Sequence, residues 1–302
     1  MHLAGLWLWC GGFSRPELQS VLAPRDRDPV SLVGESFQEV FSPLGEASII
    51  SKINESGRPA EARPVALVTG AAKRLGAVMS RLLHGDGFDI AVHYNRSDDD
   101  AEKLVQELNA SRAQSAFALQ QDLADADCGT HLIAKLEAER GRLDLLVNNA
   151  AVFDRSPLDE TDLATWERIQ AINLRAPYFL SLNAAPLLRT TGGSIINIGD
   201  IHASRPRPDY SIYCTSKAGV VAMTQALALE LAPEVRVNCV APGAILWAAS
   251  EDDELQAATV RATPLRRCGD PDDIAKAVSY LSTATYVTGH VLHVDGGRLL
   301  RA

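Results

Sequence analysis

Cysteine is the first scarcity. The five cysteines, Cys10, Cys128, Cys214, Cys239 and Cys268, are scattered, odd in number and never at CxxC spacing. That excludes a disulfide framework and a cysteine zinc site, and it points to a reduced compartment. The seven histidines show no ligand spacing either, so no metal is expected. No apolar run approaches the ~18 residues that a bilayer-spanning helix needs, and no membrane partner is expected. Positive charge is also short: 29 Lys and Arg face 38 Asp and Glu, a net charge of −9. That balance excludes a general nucleic-acid surface but permits a local basic pocket for a phosphate. Internal repeats are lacking.

What remains is an ordinary globular composition, with 46% hydrophobic and 22% charged residues in 302. The opening MHLAGLWLWCGGF imitates a signal sequence without Lys or Arg before its apolar stretch and without a clean small-x-small site after it. Trp9 stands before Cys10, where lipid attachment wants a small residue. An untargeted, cytoplasmic chain is expected. Residues 1–63 mix Pro, Gly, Ser and charge without a sustained period, and read as a mostly disordered extension with a short helix around Ser36–Phe41. A start codon assigned too far upstream would look the same.

From Pro64 to residue 302 the pattern is that of a single domain. Apolar runs at 65–69, 89–94, 116–120, 143–149, 194–199, 235–243 and 290–297 alternate with helical stretches at about 74–84, 99–110, 126–139, 162–188, 210–230 and 271–282. About seven strands, mostly apolar throughout and separated by helices, describe an α/β, Rossmann-like, doubly wound parallel sheet with helices on both faces. Asp270 followed by Pro271 is a helix start, with a cap and a proline in the first turn.

The first strand runs into Thr69-Gly70-Ala71-Ala72-Lys73-Arg74-Leu75-Gly76 and then a helix. Such a turn lets backbone N–H groups and a helix N-terminus meet a pyrophosphate, although a tight turn can use glycine for steric reasons alone. Asp122 and Leu123 close the third strand, where an aspartate can bond an adenine edge, and Asn148-Asn149-Ala150 close the fourth. The second strand ends in His93-Tyr94-Asn95-Arg96-Ser97 rather than in an acid for ribose hydroxyls. Arg96 can grip a 2′-phosphate and Ser97 can donate to it, which favours NADPH. Ser97 also suits a helix cap, with Asp98, Asp99 and Asp100 in the first turn, and both uses are compatible.

Tyr213 and Lys217, four apart, share one face of a helix, and Asp200 stands thirteen residues before Tyr213. A phenol beside an ammonium is a candidate acid, its pKa drawn down toward neutrality. A carboxylate reaching the same point adds a second proton-handling group, which suits protonation of a ring nitrogen better than of a ketone oxygen. Alone, Asp200 reads as a turn or cap residue and Phe153 as core. Cys214, with no histidine beside it, reads as packing.

These residues, with Asn173, Pro242-Gly243 and Thr288-Gly289…Asp295-Gly296-Gly297, resemble the short-chain dehydrogenase/reductase family over residues 64–302, about four fifths of the chain. Two departures stand out: Arg74 where the family commonly has glycine, and Asp200 where it commonly has serine. Both, with TGAAKRLG and HYNRS, resemble the pteridine reductases of that family. Phe153 falls where those enzymes stack an aromatic on the pterin, and Ala176–Leu180 resembles the segment after their asparagine. The resemblance implies hydride transfer from NADPH to a C=N carbon, with Tyr213 as general acid and Lys217 holding the nicotinamide ribose. It further implies that Asn173 links Lys217 to solvent and that Gly70, Arg74, Leu75, Gly76, Asn149, Ala150, Pro242 and Gly243 line the cofactor. Arg74, Phe153, Asp200 and Tyr213 would meet a dihydrobiopterin- or dihydrofolate-type substrate, with Trp247 in the covering segment. A homotetramer formed through the helices near 162–188 and 210–230 is also implied. A reductase of a 3-oxoacyl thioester or a sugar ketone stays open as the runner-up, and so does a non-catalytic dinucleotide sensor.

Overall fold

A computed structural model describes residues 63–247 and 252–300. The extension through residue 62, with Cys10 and the helix expected at Ser36–Phe41, lies outside the described residues. Seven parallel strands form one sheet in the order β3-β2-β1-β4-β5-β6-β7. They are β1 (Val65–Val68), β2 (Asp89–Tyr94), β3 (Ala116–Gln120), β4 (Leu145–Asn148), β5 (Ser194–Ile198), β6 (Arg236–Pro242) and β7 (Val291–Val294).

Alternation along each strand divides the core in two. Val65 and Leu67 of β1, Leu146 of β4 and Ile195 of β5 pack against α3 (Cys128–Arg140), α5 (Ala176–Thr191) and α6 (Ser211–Leu231). Their neighbours Ala66, Val68, Leu145 and Ile196 pack against α1 (Arg74–Gly85), α2 (Asp98–Ser111) and α8 (Pro271–Thr283). Both faces are therefore covered, and the strands are apolar on both sides for that reason. The chain reverses its direction across the sheet between β1 and β4, whose Val68 and Val147 are register partners. Loops leaving those two strands diverge, and the crevice between them is where such folds bind ligands.

Two expectations are corrected and one element is new. The stretch expected as one helix over 162–188 is α4 (Leu163–Gln170), a π-helical turn (Ala171–Arg175) and α5. Pro177 has no N–H to give the carbonyl four residues back, that of Asn173, so the α ladder breaks there. An additional helix, α7 (Asp253–Ala262), starts on Asp252, whose side chain accepts from Leu255 N at 2.8 Å. It buries only Thr259, so no apolar stripe announced it. Ser97 stands at the N-cap of α2 but its hydroxyl makes no cap bond, and three aspartates alone fill the first turn. At α8 the expected start is present in full, with Asp270 and Asp273 forming a capping box around Pro271.

Candidate active site

The turn after β1 is built for close approach. Thr69 Oγ1 accepts from the backbone N–H groups of Asn149 and Ala150 at 2.9 and 3.0 Å, which locks the ends of β1 and β4 together. Asn149 Nδ2 donates to Thr69 O at 2.7 Å. Gly70 has φ +62°, and a Cβ on Gly76 would lie 2.1 Å from Gly70 O, so neither position accepts a side chain without moving backbone. At the start of α1, Lys73 makes no side-chain cap and no acid fills the first turn, which leaves an uncapped helix N-terminus facing the cleft. Lys73 pairs with Asp100 at 2.7 Å. Arg74, in the position expected to hold glycine, has φ +51°. A non-glycine residue there costs about 1–2 kcal/mol.

His93 takes a different place from the one expected. Its ring is buried, with Nδ1 accepting from Gly70 N–H and Nε2 paired to Gln121 O, both at 3.0 Å. A carbonyl accepts, so Nε2 carries the proton. Burial pushes the ring pKa down to about 4, and neutral His93 braces the turn from behind. Tyr94, Asn95, Arg96 and Ser97 end β2 beside it, with Arg96 exposed. Asp122 turns its Oδ1 to Ala124 N at 2.9 Å, and Leu123 is core. None of these lines the cleft between the loops after β1, β4, β5 and β6.

That cleft, of about 630 Å³, does bring together Gly70, Arg74, Leu75, Gly76, Asn149 and Ala150 at one end. Phe153, Asp200, Tyr213 and Lys217 lie along it with Pro242 and Gly243. Asp200 follows β5 in extended backbone and accepts twice: Oδ1 from His202 N at 2.8 Å, Oδ2 from the Tyr213 hydroxyl at 2.7 Å. Asp200 thus caps the turn after β5 and contacts the Tyr213 hydroxyl at once. Lys217, one turn along α6, donates from Nζ to Ile198 O at 2.8 Å, and its Nζ lies 5.7 Å from the Tyr213 ring centroid.

These distances reverse one expectation. The Tyr213 pKa lies well above the usual phenol value, first because the ring is buried and then because of the charge and hydrogen bond of Asp200. A carboxylate on the hydroxyl outweighs an ammonium whose proton is turned to a backbone carbonyl. Burial lowers the Lys217 pKa, against an opposing pull from Asp200. Tyr213 is therefore held in its protonated, acid form at neutral pH.

Asn173, buried in the π turn, lies behind the cleft. Its Oδ1 accepts from Val152 N at 2.8 Å, and its Nδ2 donates to Val152 O at 3.0 Å and to Ser216 Oγ at 3.2 Å. It fastens the segment carrying Phe153 to α6. Phe153 stacks on Tyr210, centroids 4.5 Å apart and planes 16° apart, and meets Tyr213 edge-on at 4.7 Å. Tyr210, Arg207 and His202 were not singled out by spacing. The signal available was their position between Asp200 and Tyr213, which forces the intervening loop against the site. Trp247 lines the cleft beside Ile245 and Leu246.

The arrangement can bind an anion at one end and deliver a proton at the other. A sequence model of the family described as enoyl-(acyl carrier protein) reductase matches residues 70–298. A 3-oxoacyl-(acyl-carrier-protein) reductase of Staphylococcus aureus is 36% identical over 238 residues, covering 77% of this chain and 96% of that protein. A 3β-hydroxysteroid dehydrogenase 1 of Eggerthella lenta is 35% identical over 243 residues, covering 78% and 93%. Among solved structures, a blue fluorescent protein from a metagenomic library, crystallised with NADPH, is 36% identical with a TM-score of 0.73, covering 78% of this chain and 97% of that one.

Proposed function

The chain belongs to the short-chain dehydrogenase/reductase family, and from that premise we propose that it is an NADPH-dependent reductase of a pteridine, of the dihydrobiopterin or dihydrofolate type. One observation carries the pteridine: the Tyr213 hydroxyl donates to the carboxylate of Asp200 at 2.7 Å, where the family commonly has serine. A serine donor suits a carbonyl oxygen, whereas a carboxylate suits a ring edge rich in N–H groups.

The residues present fit a dinucleotide, since the uncapped start of α1 and the close approach at Gly76 make a cradle for a pyrophosphate. The NADPH held by the related solved structure supports the same cofactor here. Gly70, Arg74, Leu75 and Gly76 would hold its phosphates, and Asp122 its adenine. Arg96 and Ser97, at the end of β2, would receive the 2′-phosphate. Asn149, Ala150, Lys217, Pro242 and Gly243 would flank the nicotinamide half. NADPH, when bound, supplies the hydride. Tyr213 then gives its proton to the adjoining nitrogen, and Lys217 and Asp200 set how readily that proton leaves. Phe153, braced by Tyr210, offers a flat wall for a flat ring. A homotetramer in a cytoplasmic setting is proposed with this function, and its subunit contacts would cover exposed Trp166, Phe179 and Leu182 on α4 and α5. Among the described residues no helix is long and apolar enough to cross a membrane.

The named relatives favour a second reading, a 3-oxoacyl thioester or another carbonyl substrate, better than they favour the pteridine. A non-catalytic sensor is disfavoured by Tyr213, Lys217 and Asn173 standing together. Asp200→Ser separates these readings. With dihydrobiopterin it should lower kcat/KM by about 100-fold, while NADPH affinity, read by cofactor fluorescence, holds. Equal losses in both, or undiminished turnover of dihydrobiopterin, would count against the pteridine.

A further inference from the structure

The loop between Asp200 and α6 ends in a turn that the proton transfer does not use. Arg207-Pro208-Asp209-Tyr210 closes with the Tyr210 N–H donating to Arg207 O at 3.2 Å. Asp209, its third residue, has φ +63°. Proline second and a left-handed residue third make a type II turn, whose third place favours glycine. Pro208 fixes its own φ and so lowers the entropy lost in holding the turn. An aspartate kept in strain where glycine fits better points to a use for its side chain.

That turn grips the segment after β4. Asp209 O accepts from Ser156 N–H at 2.6 Å, and Asp209 Oδ2 accepts from Arg155 Nη2 at 2.7 Å. The next residue, Tyr210, is buried at the N-cap of α6 and stacks on Phe153, centroids 4.5 Å apart and planes 16° apart. The Arg155 pair is about half exposed, so the backbone bond and the buried stack carry most of the hold. Phe153 lines the cleft, and Tyr210 stands behind it without lining the cleft itself. One helical turn along α6, Tyr213 meets the same Phe153 ring edge-on. The ring is thus held on one face and at its edge, and its segment is held at Arg155 and Ser156, which sets its plane before a substrate arrives.

We propose that Asp209 and Tyr210 are positioning residues that fix the plane of Phe153 and so make the site select flat rings over puckered ones. This rests on the pteridine reading and deepens it. Hydride on the carbon and a proton on the nitrogen of one C=N bond leave that carbon tetrahedral, and the product ring puckers. A wall free to tilt would follow the puckered ring, whereas a fixed one loses part of its contact with it. The site therefore binds its flatter substrate more tightly than its product, which favours product release. Tyr210 acts through Phe153 and touches neither substrate nor cofactor.

The test compares two pterins with the same tail, flat biopterin and puckered tetrahydrobiopterin, titrated calorimetrically without oxygen into the protein loaded with NADP+. The readout is the ratio of Kd for the puckered ring over Kd for the flat one. The unaltered protein should favour the flat ring about tenfold. Tyr210→Leu should bring the ratio close to unity, and Tyr210→Phe, which keeps the stack, should hold it. Asp209→Gly keeps the turn and should hold most of the ratio. Asp209→Val, whose branched side chain resists the left-handed turn, should lower it by about threefold or more. A ratio that Tyr210→Leu leaves unchanged, or one near unity in the unaltered protein, overturns the proposal and leaves the pteridine reading standing. Binding of neither pterin overturns the pteridine reading, and the selection of flat rings with it. Should Tyr210→Leu fail to fold, Asp209→Val decides, and an unchanged ratio there overturns the proposal equally.

Discussion

Tyr213 keeps its proton first because its ring is buried and then because Asp200 sits on its hydroxyl. The i, i+4 spacing placed Lys217 on the right face but said nothing of where its ammonium points. Nζ is committed to Ile198 O, so the stronger electrostatic partner is the carboxylate. His93 shows the same limit. Its place at the end of a strand suggested the cofactor, and only the folded register puts its ring under Gly70. That role has a measurable consequence. With a folded pKa of about 4 against an ordinary 6.5, the unfolded chain binds this proton first as pH falls. The stabilisation is complete above pH 6.5 and is lost between 6.5 and 4, about 3 kcal/mol in all. Urea midpoints at the two ends of that window should show the unaltered protein losing about that much more than His93→Gln. Parallel losses would remove His93 as the brace.

At the scale of elements, the strands were legible because continuous apolar runs bounded by helical stretches leave little choice. Boundaries shifted by a few residues only, as at β7, which is Val291–Val294 within the expected 290–297. The break between α4 and α5 was written in the sequence as Pro177 but was masked by the helical pattern on either side. Its importance lies in Asn173, whose side chain acts as a strand partner to Val152 and ties the Phe153 segment down. Asn173→Ala would leave the half-buried N–H and C=O of Val152 short of partners. A loss of about 2 kcal/mol in unfolding free energy is expected, with kcat falling more than NADPH affinity. A variant with full stability and full turnover would mean that the π turn holds itself.

For the molecule as a whole, the sheet order decides what lies near what. Residues from the loops after β1, β4, β5 and β6 meet because the chain reverses between β1 and β4. Pattern alone could place the strands but not their neighbours, and the resemblance supplied that order. The loop from Asp200 to Tyr210 was opaque for the opposite reason: it has no period, and its aromatic and cationic contacts exist only once the sheet is assembled. The central claim, that this assembled site reduces a pteridine with Tyr213 as the acid, is tested most directly by mixing the purified protein with NADPH and following oxidation of the cofactor. Dihydrobiopterin or dihydrofolate should be turned over, and Tyr213→Phe should lower that turnover by about 100-fold or more; turnover of an acetoacetyl thioester alone, or pteridine turnover untouched by Tyr213→Phe, would contradict it.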